Sequence, residues 1–156
     1  MGRLHAGNRL TLMGAGSSGK TRLALEVVRL NVDACAGGMA LMLLASIRDA
    51  PLVMPTIAHA VGLREAGGRP LDSLVAHLRS RRMHLDLDNF EHLLEAAPIV
   101  GDLLRGGCPD LAILVTSCEA LHLPAEQQFA VAPLELPPVR SRHARHYHSG
   151  VRLGAP

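Results

Sequence analysis

Aromatic side chains are nearly missing from this 156-residue chain, which has no Trp, one Tyr and two Phe. Any core must therefore be built from Leu, Val, Ile, Ala and Met. Hydrophobic residues at 48% are enough for that and exclude a disordered chain. No apolar run reaches the ~18 residues of a membrane span. The N-terminal MGRLHAGNRL lacks the apolar stretch of a signal peptide. Gly2 resembles a myristoylation start only superficially, because position 6 is Ala and not Ser or Thr. Cysteine is too scarce and scattered for a disulfide frame or a zinc site. Cys35, Cys108 and Cys118 fit reduced thiols in a cytoplasmic protein. Charge of one sign is also lacking, and a net +2 does not by itself imply a nucleic-acid partner. The length allows one domain with a real core.

What is present is the stretch Gly14, Ala15, Gly16, Ser17, Ser18, Gly19, Lys20 and Thr21. It fits G-x-x-x-x-G-K-[ST], the phosphate-binding P-loop. A short apolar run, Leu10 to Met13, precedes it. A helical pattern with Leu23, Val27 and Leu30 on one face follows. Strand, glycine loop and helix are the context the motif requires. Glycines let the backbone curl so that successive N–H groups point into one anion-sized hollow. The helix N-terminus adds partial positive charge behind them. Lys20 is placed to reach the β- and γ-phosphates, and the Thr21 hydroxyl to hold Mg²⁺.

The rest of the chain alternates strands and helices. Met39 to Ala45 reads as a strand buried on both faces. Asp49 reads as an N-cap with Pro51 in the first turn, and Pro55 predicts a helix that is kinked or starts late. Residues 64–70 form a loop. Leu71, Leu74, Val75 and Leu78 mark a helix with one apolar face. Met83 to Asp88 is a strand. A helix through Leu93, Leu94 and Ala97 follows, with Pro98 as a kink or restart and an end at Gly106-Gly107. Leu111 to Thr116 is a further buried strand, and Phe129 to Val131 a short last one. The expectation is an α/β domain, a three-layer P-loop NTPase fold with a mostly parallel five-stranded sheet, over residues 1–138. Residues 139–156 hold Arg and His with almost nothing to bury, and read as a disordered basic arm. His143, His146 and His148 suggest a metal site, but no carboxylate or Cys is close by and a solvated tail is favoured.

A P-loop needs a carboxylate at the end of a buried strand. Asp88 ends its strand and would sit at the sheet's C-terminal edge, where open α/β sheets bind ligands. The Mg²⁺ role is favoured over a simple helix N-cap. By period 2, His84, Asp86 and Asp88 share one face. A mid-strand carboxylate is costly unless paired. A His84–Asp86 pair is one resolution, and an uncompensated departure is the favoured one. Glu91 is a candidate catalytic base for the attacking water, with a helix-dipole role preferred. Thr116 and Ser117 end a strand, either touching a phosphate or a water or serving as a polar exit. His92 is expected on a partly exposed helix face.

Together these segments resemble the nucleotide-binding domain of STAND-class, NB-ARC-like P-loop ATPases, as in large bacterial LuxR-type transcriptional regulators. The resemblance is carried by RLTLMGAGSSGKTRLALEV, IRDAPLV, AHAVGLREAGGRPL, LDNFEHLLEAAPIVGDLL and LAILVTSCEALHLPAEQQFAV, in order across residues 9–135. It implies ATP or ADP with Mg²⁺ at Gly14, Gly16, Ser17, Ser18, Gly19, Lys20 and Thr21, and Asp88 as the Walker B acid. It also implies that the strand ending at Thr116 separates the Walker A and Walker B strands. Such domains are nucleotide switches with slow hydrolysis. Their regulatory partners are intramolecular or homo-oligomeric, with no membrane partner, and DNA is contacted only through effector domains absent from this chain. The chain departs from the pattern at Cys118, where the family carries an Arg that senses the γ-phosphate, and at Asp86 and Pro55. It also stops where the family continues into a helical lid and winged helix. The basic tail matches nothing in the family, and a truncated or frameshifted gene is the expectation.

Overall fold

Two fully buried strands, one the apolar run LAILV and the other alternating apolar with His and Asp residues, form the centre of a five-stranded parallel sheet. The computed structural model describes residues 9–64, 69–124 and 126–133. Its strands are β1 (Arg9–Met13), β2 (Met39–Leu43), β3 (Met83–Asp88), β4 (Leu111–Ser117) and β5 (Gln127–Ala130). They pair in the order β2-β3-β4-β1-β5, every pair parallel. β3 and β4 are buried along their whole length. β4 lies between β1 and β3, so the loop after β1 and the acid at the end of β3 face each other across one strand, as expected.

Helices cover both faces, giving three layers. One face carries α1 (Lys20–Asn31) over a small cluster of Leu12, Ala24, Val27 and Leu114. The other carries α2 (Val53–Ala60), α3 (Pro70–Leu78) and α4 (Ala97–Arg105) over the larger core. Leu74, Leu78, Leu85, Leu87, Leu103 and Ile113 are sealed there. Each buried Leu of this kind contributes about 1.5–3 kcal/mol, so most of the hydrophobic stabilisation sits on the face away from α1.

Several sequence expectations are corrected. β2 ends at Leu43, and Leu44–Ser46 is a 3-10 turn. β2 is an edge strand buried on one face only, with Leu41 and Leu43 43% and 62% exposed. The continuous apolar run looked like a two-faced strand, but no second helix among the described residues covers that side. The buried face of α1 is Lys20, Ala24, Val27 and Asn31, and Leu30 is exposed. Of the two outcomes expected of Pro55, the late start is the one observed, with α2 following a 3-10 turn over Ala50–Leu52. Pro55 is the third residue of α2, where backbone N–H groups have no intrahelical partner, so it deletes no hydrogen bond. Asp49 precedes that turn without a capping side-chain bond. No α-helix runs through Leu93 and Leu94. Two 3-10 turns, Phe90–His92 and Leu94–Ala96, come first, and Pro98 opens α4. The last strand begins at Gln127, two residues earlier than expected. The arm at 139–156, with its three His residues, lies outside the described residues. Cys35, Cys108 and Cys118 are free. No described helix is long and apolar enough to cross a membrane.

His84 and Asp86 share the α1 face, in register with Ala112 and Leu114 of β4. Both are 1% exposed, and neither the His84 ring nitrogens nor the Asp86 oxygens have a hydrogen-bond partner. The pair does not form, and the departure is uncompensated. Burial, with the Asp88 charge adding to it, pushes the Asp86 carboxyl up to about 7, and burial pulls His84 down to about 4. Asp86 stays protonated in the fold while the unfolded chain ionises, so its stabilising share falls as pH rises from about 4 to about 7. His84 acts in the opposite sense. Its share is present above pH 6.5 and is lost as pH falls toward 4. The two slopes oppose each other in the same window. Asp86→Val is expected to raise the melting temperature at pH 8 by roughly 5–10 °C, from a penalty of up to ~4 kcal/mol. That gain should shrink steadily toward pH 4, as Asp86 becomes protonated in the unfolded chain too and its penalty disappears. Thermal melts from pH 4 to pH 8 check this, and a pH-independent gain would contradict it.

Candidate functional site

The loop between β1 and α1 is shaped by backbone constraints. Ser17 and Gly19 have positive φ, 62° and 90°. These values turn the chain back over the start of α1. At Gly14 a Cβ would lie 2.6 Å from the Val131 carbonyl oxygen, so only glycine fits beside the segment after β5. Gly16 has open space around it, so its glycine is not set by contact. No side chain caps the N-terminus of α1. Its first N–H groups therefore keep their partial positive charge free for an anion. Ser18 is buried, and its Oγ has no partner.

Lys20 folds back over this loop. Its Nζ donates to the Gly14 oxygen at 2.7 Å and the Ala15 oxygen at 3.0 Å, and lies 3.6 Å from Cys118 Sγ. The ammonium is thus held at the loop's mouth, with the exposed thiol beside it.

One carboxylate oxygen joins the parts. Asp88 Oδ1 accepts the Thr21 hydroxyl at 2.8 Å and the Thr116 hydroxyl at 2.5 Å. Thr116 Oγ1 in turn accepts the Asn89 N–H at 3.0 Å. Asp88 and Thr116 are 3% and 1% exposed, and hydroxyl bonds to a buried carboxylate are the strong kind. Asp88 caps no helix; the residue preceding the next turn is Asn89.

Asn89 has φ 64°, a left-handed conformation that Asn tolerates better than most residues. This kink returns the chain so that Glu91 faces the loop. The Asn89 amide donates to Glu91 Oε1 at 3.3 Å, while Oε2 is buried without a partner. Ser17, Lys20 and Thr21 on one side and Asn89, Glu91 and Thr116 on the other line a cavity of about 310 Å³. The dipole role preferred for Glu91 loses its basis, because the turn carrying it is three residues of 3-10 helix. Ser117 is the polar exit, accepting the Glu119 N–H. His92 lies on no helix face; its ring bonds the carbonyls of Leu44 and Ile47. Sequence reasoning missed Asn89 and this use of His92. The Asp-Asn pair at a strand end was a signal for the first, and nothing local signalled the second.

The parallel sheet order and the helices on both its faces are those of the P-loop NTPase fold. No protein-family model matches the chain. Over 138 residues it is 42% identical to a "Putative HTH-type transcriptional regulator" of Mycobacterium tuberculosis, covering 87% of this chain and 15% of that protein. Over 136 residues it is 38% identical to an uncharacterized protein of Mycobacterium bovis, covering 86% of this chain and 35% of that one. Among solved structures, Cdc6p from Pyrobaculum aerophilum superposes with a TM-score of 0.56 at 22% identity, over 78% of this chain and 38% of that one. Drosophila ORC bound to AT-rich DNA and Cdc6 gives a TM-score of 0.59 at 13% identity, over 82% and 50%. These structures share the fold.

The Asp88 node predicts non-additivity. Removing the carboxylate leaves the buried Thr116 hydroxyl without its acceptor, a cost of about 1–3 kcal/mol that vanishes once Thr116 is apolar. In thermal or urea melts, Asp88→Ala and Thr116→Val should therefore show a coupling of about 1–3 kcal/mol. Additivity within about 0.5 kcal/mol would contradict the node.

Proposed function

We propose that residues 1–138 are an ATP- and Mg²⁺-binding switch domain of a STAND-type signalling ATPase or transcriptional regulator, with slow or no hydrolysis on its own. The observation that carries the proposal is the Thr21–Asp88 bond at the mouth of the loop. It brings two hard oxygen donors together beside free helix N–H groups and a lysine, the donor set that suits Mg²⁺ with phosphates. The constraint on Gly14, the positive φ at Ser17 and Gly19 and the unpartnered Ser18 Oγ all fit a loop built to wrap an anion. The name of the mycobacterial relative supports a regulatory setting.

In this reading the N–H groups from Gly16 to Thr21 and the Lys20 ammonium hold phosphates, and Thr21 and Asp88 hold Mg²⁺. When bound, the metal supplies positive charge to the terminal phosphates. Thr116 orients Asp88, and Glu91 faces the 310 Å³ cavity as the group that takes up a water. The nucleoside has room in a second cavity of about 510 Å³ on the other side of the loop, lined by Ser18, Arg22, Leu23, Glu26 and Val131. Among the described residues the cations lining the phosphate cavity are Lys20 and Arg22. Cys118 offers a thiol where the resembled family has a γ-phosphate arginine. Missing transition-state cations cost orders of magnitude in rate, which is why hydrolysis is expected to be slow.

A second reading, a nucleotide-independent remnant that keeps the sheet, is favoured by the unpaired Asp86 and His84 within the strand that carries the site acid. Thermal melting separates the two. With Mg²⁺ and ATP at ~100 times its dissociation constant, the domain should gain about 2.7 kcal/mol, a shift of several degrees. Lys20→Ala should abolish the shift. A cooperative melt that ATP leaves unmoved would favour the remnant.

A further inference from the structure

The 3-10 turn Phe90–His92 is pinned at both ends. Behind it, Asn89 gives its N–H to Thr116 and its side-chain amide to Glu91. Ahead of it, His92 Nε2 lies 2.8 Å from the Ile47 oxygen and 3.1 Å from the Leu44 oxygen. Carbonyl oxygens only accept, so Nε2 must carry the proton. Phe90 and Leu93, 0% and 1% exposed, anchor the turn in the core from below. Glu91 therefore sits on a segment that cannot shift alone.

Leu44 and Ile47 belong to a different part of the sheet. They bracket the 3-10 turn that ends edge strand β2 and leads toward α2, 45 or more residues away in sequence. At the end of that turn the Ile47 N–H donates to the Leu44 oxygen at 2.9 Å. His92 donates to the same Leu44 oxygen and to the oxygen of Ile47 itself. One imidazole thus ties the site's acidic turn to the outermost strand's exit.

We infer that His92 is a positioning residue that holds Glu91 at the phosphate cavity and couples occupancy of that cavity to the Leu44–Ile47 turn. The inference rests on the nucleotide reading above. The connected path runs from Thr21 through Asp88, Thr116 and Asn89 to Glu91 and His92, and ends at two backbone carbonyls on the edge of the sheet. A nucleotide that displaces Glu91 must strain or reset the His92 bonds. The β2–α2 connection is then the place where nucleotide state reaches the surface of the domain.

Hydrogen exchange of the full chain, with and without Mg²⁺–ATP, tests this. In the wild type, ATP should slow exchange at residues 14–21 and change it at residues 44–52 by about fivefold or more. His92→Leu should keep the first effect and lose the second. His92→Gln, whose amide nitrogen can reach the same carbonyls, should restore the second. Persistence of the change at 44–52 in His92→Leu, its absence in a wild type protected at 14–21, or no rescue by Gln would each overturn the coupling. No protection at 14–21 in the wild type would overturn the nucleotide reading and the coupling with it. A check independent of any variant's folding is the nitrogen NMR signature of the His92 ring. A proton on Nε2 is expected, and a proton on Nδ1 alone would overturn the proposal.

Discussion

The Oδ1 atom of Asp88 is the point on which the site depends. It takes a hydroxyl from the first turn of α1 and another from the end of β4, while belonging to the end of β3. Three elements from distant parts of the sequence are fixed there at one atom. The bonds are short because the acceptor is a carboxylate shielded from water. Without that oxygen, Thr116 would lose its acceptor, Asn89 would lose its anchor, and the cavity facing the loop would lose one wall. The parallel order β3-β4-β1 makes the arrangement available, since it brings all three C-terminal strand ends to one edge.

The site strand is locally unfavourable, and the rest of the fold offsets it. β3 buries His84 and Asp86 without partners, and the loop and the turn after β3 hold Ser17 and Asn89 at positive φ. Such features cost of order 1–3 kcal/mol each. The compensation lies on the opposite face, where Leu85 and Leu87 of the same strand join the large core with α2, α3 and α4. Alternation along one strand thus divides labour: odd-numbered residues stabilise, even-numbered residues carry chemistry and cost. The α1 side is thin, with four buried residues in its cluster and Leu41 and Leu43 open beside it.

The centre of this architecture was legible in the sequence, because its signals are local. The loop announces itself by glycine spacing, β3 by its period-2 alternation, β4 by an apolar run of strand length, and Asp88 and Thr116 by their positions at strand ends. The errors fall where the outcome depends on neighbours. Met39 to Ala45 reads as doubly buried only if something covers both faces, and a run of residues cannot report what packs on it. Leu93 and Leu94 carry helical periodicity, yet the kink at Asn89 and the core contacts of Phe90 and Leu93 break the segment into 3-10 turns. Pro55 left a kinked or a late-starting helix open, and the late start is the one the fold takes. The ring of His92 finds its partners more than forty residues away, so no window along the chain displays them. The cost of Asp86, by contrast, was visible from period 2 alone.

Titration calorimetry of the purified chain with ATP, first in Mg²⁺ and then in excess chelator, tests the central claim most directly. If Thr21 and Asp88 form a joint metal and phosphate site, binding should show one site per chain, and affinity should fall about tenfold or more without the metal, a loss of ~1.4 kcal/mol at least. Equal affinity with and without Mg²⁺, or no binding heat from a chain that melts cooperatively, would contradict the account.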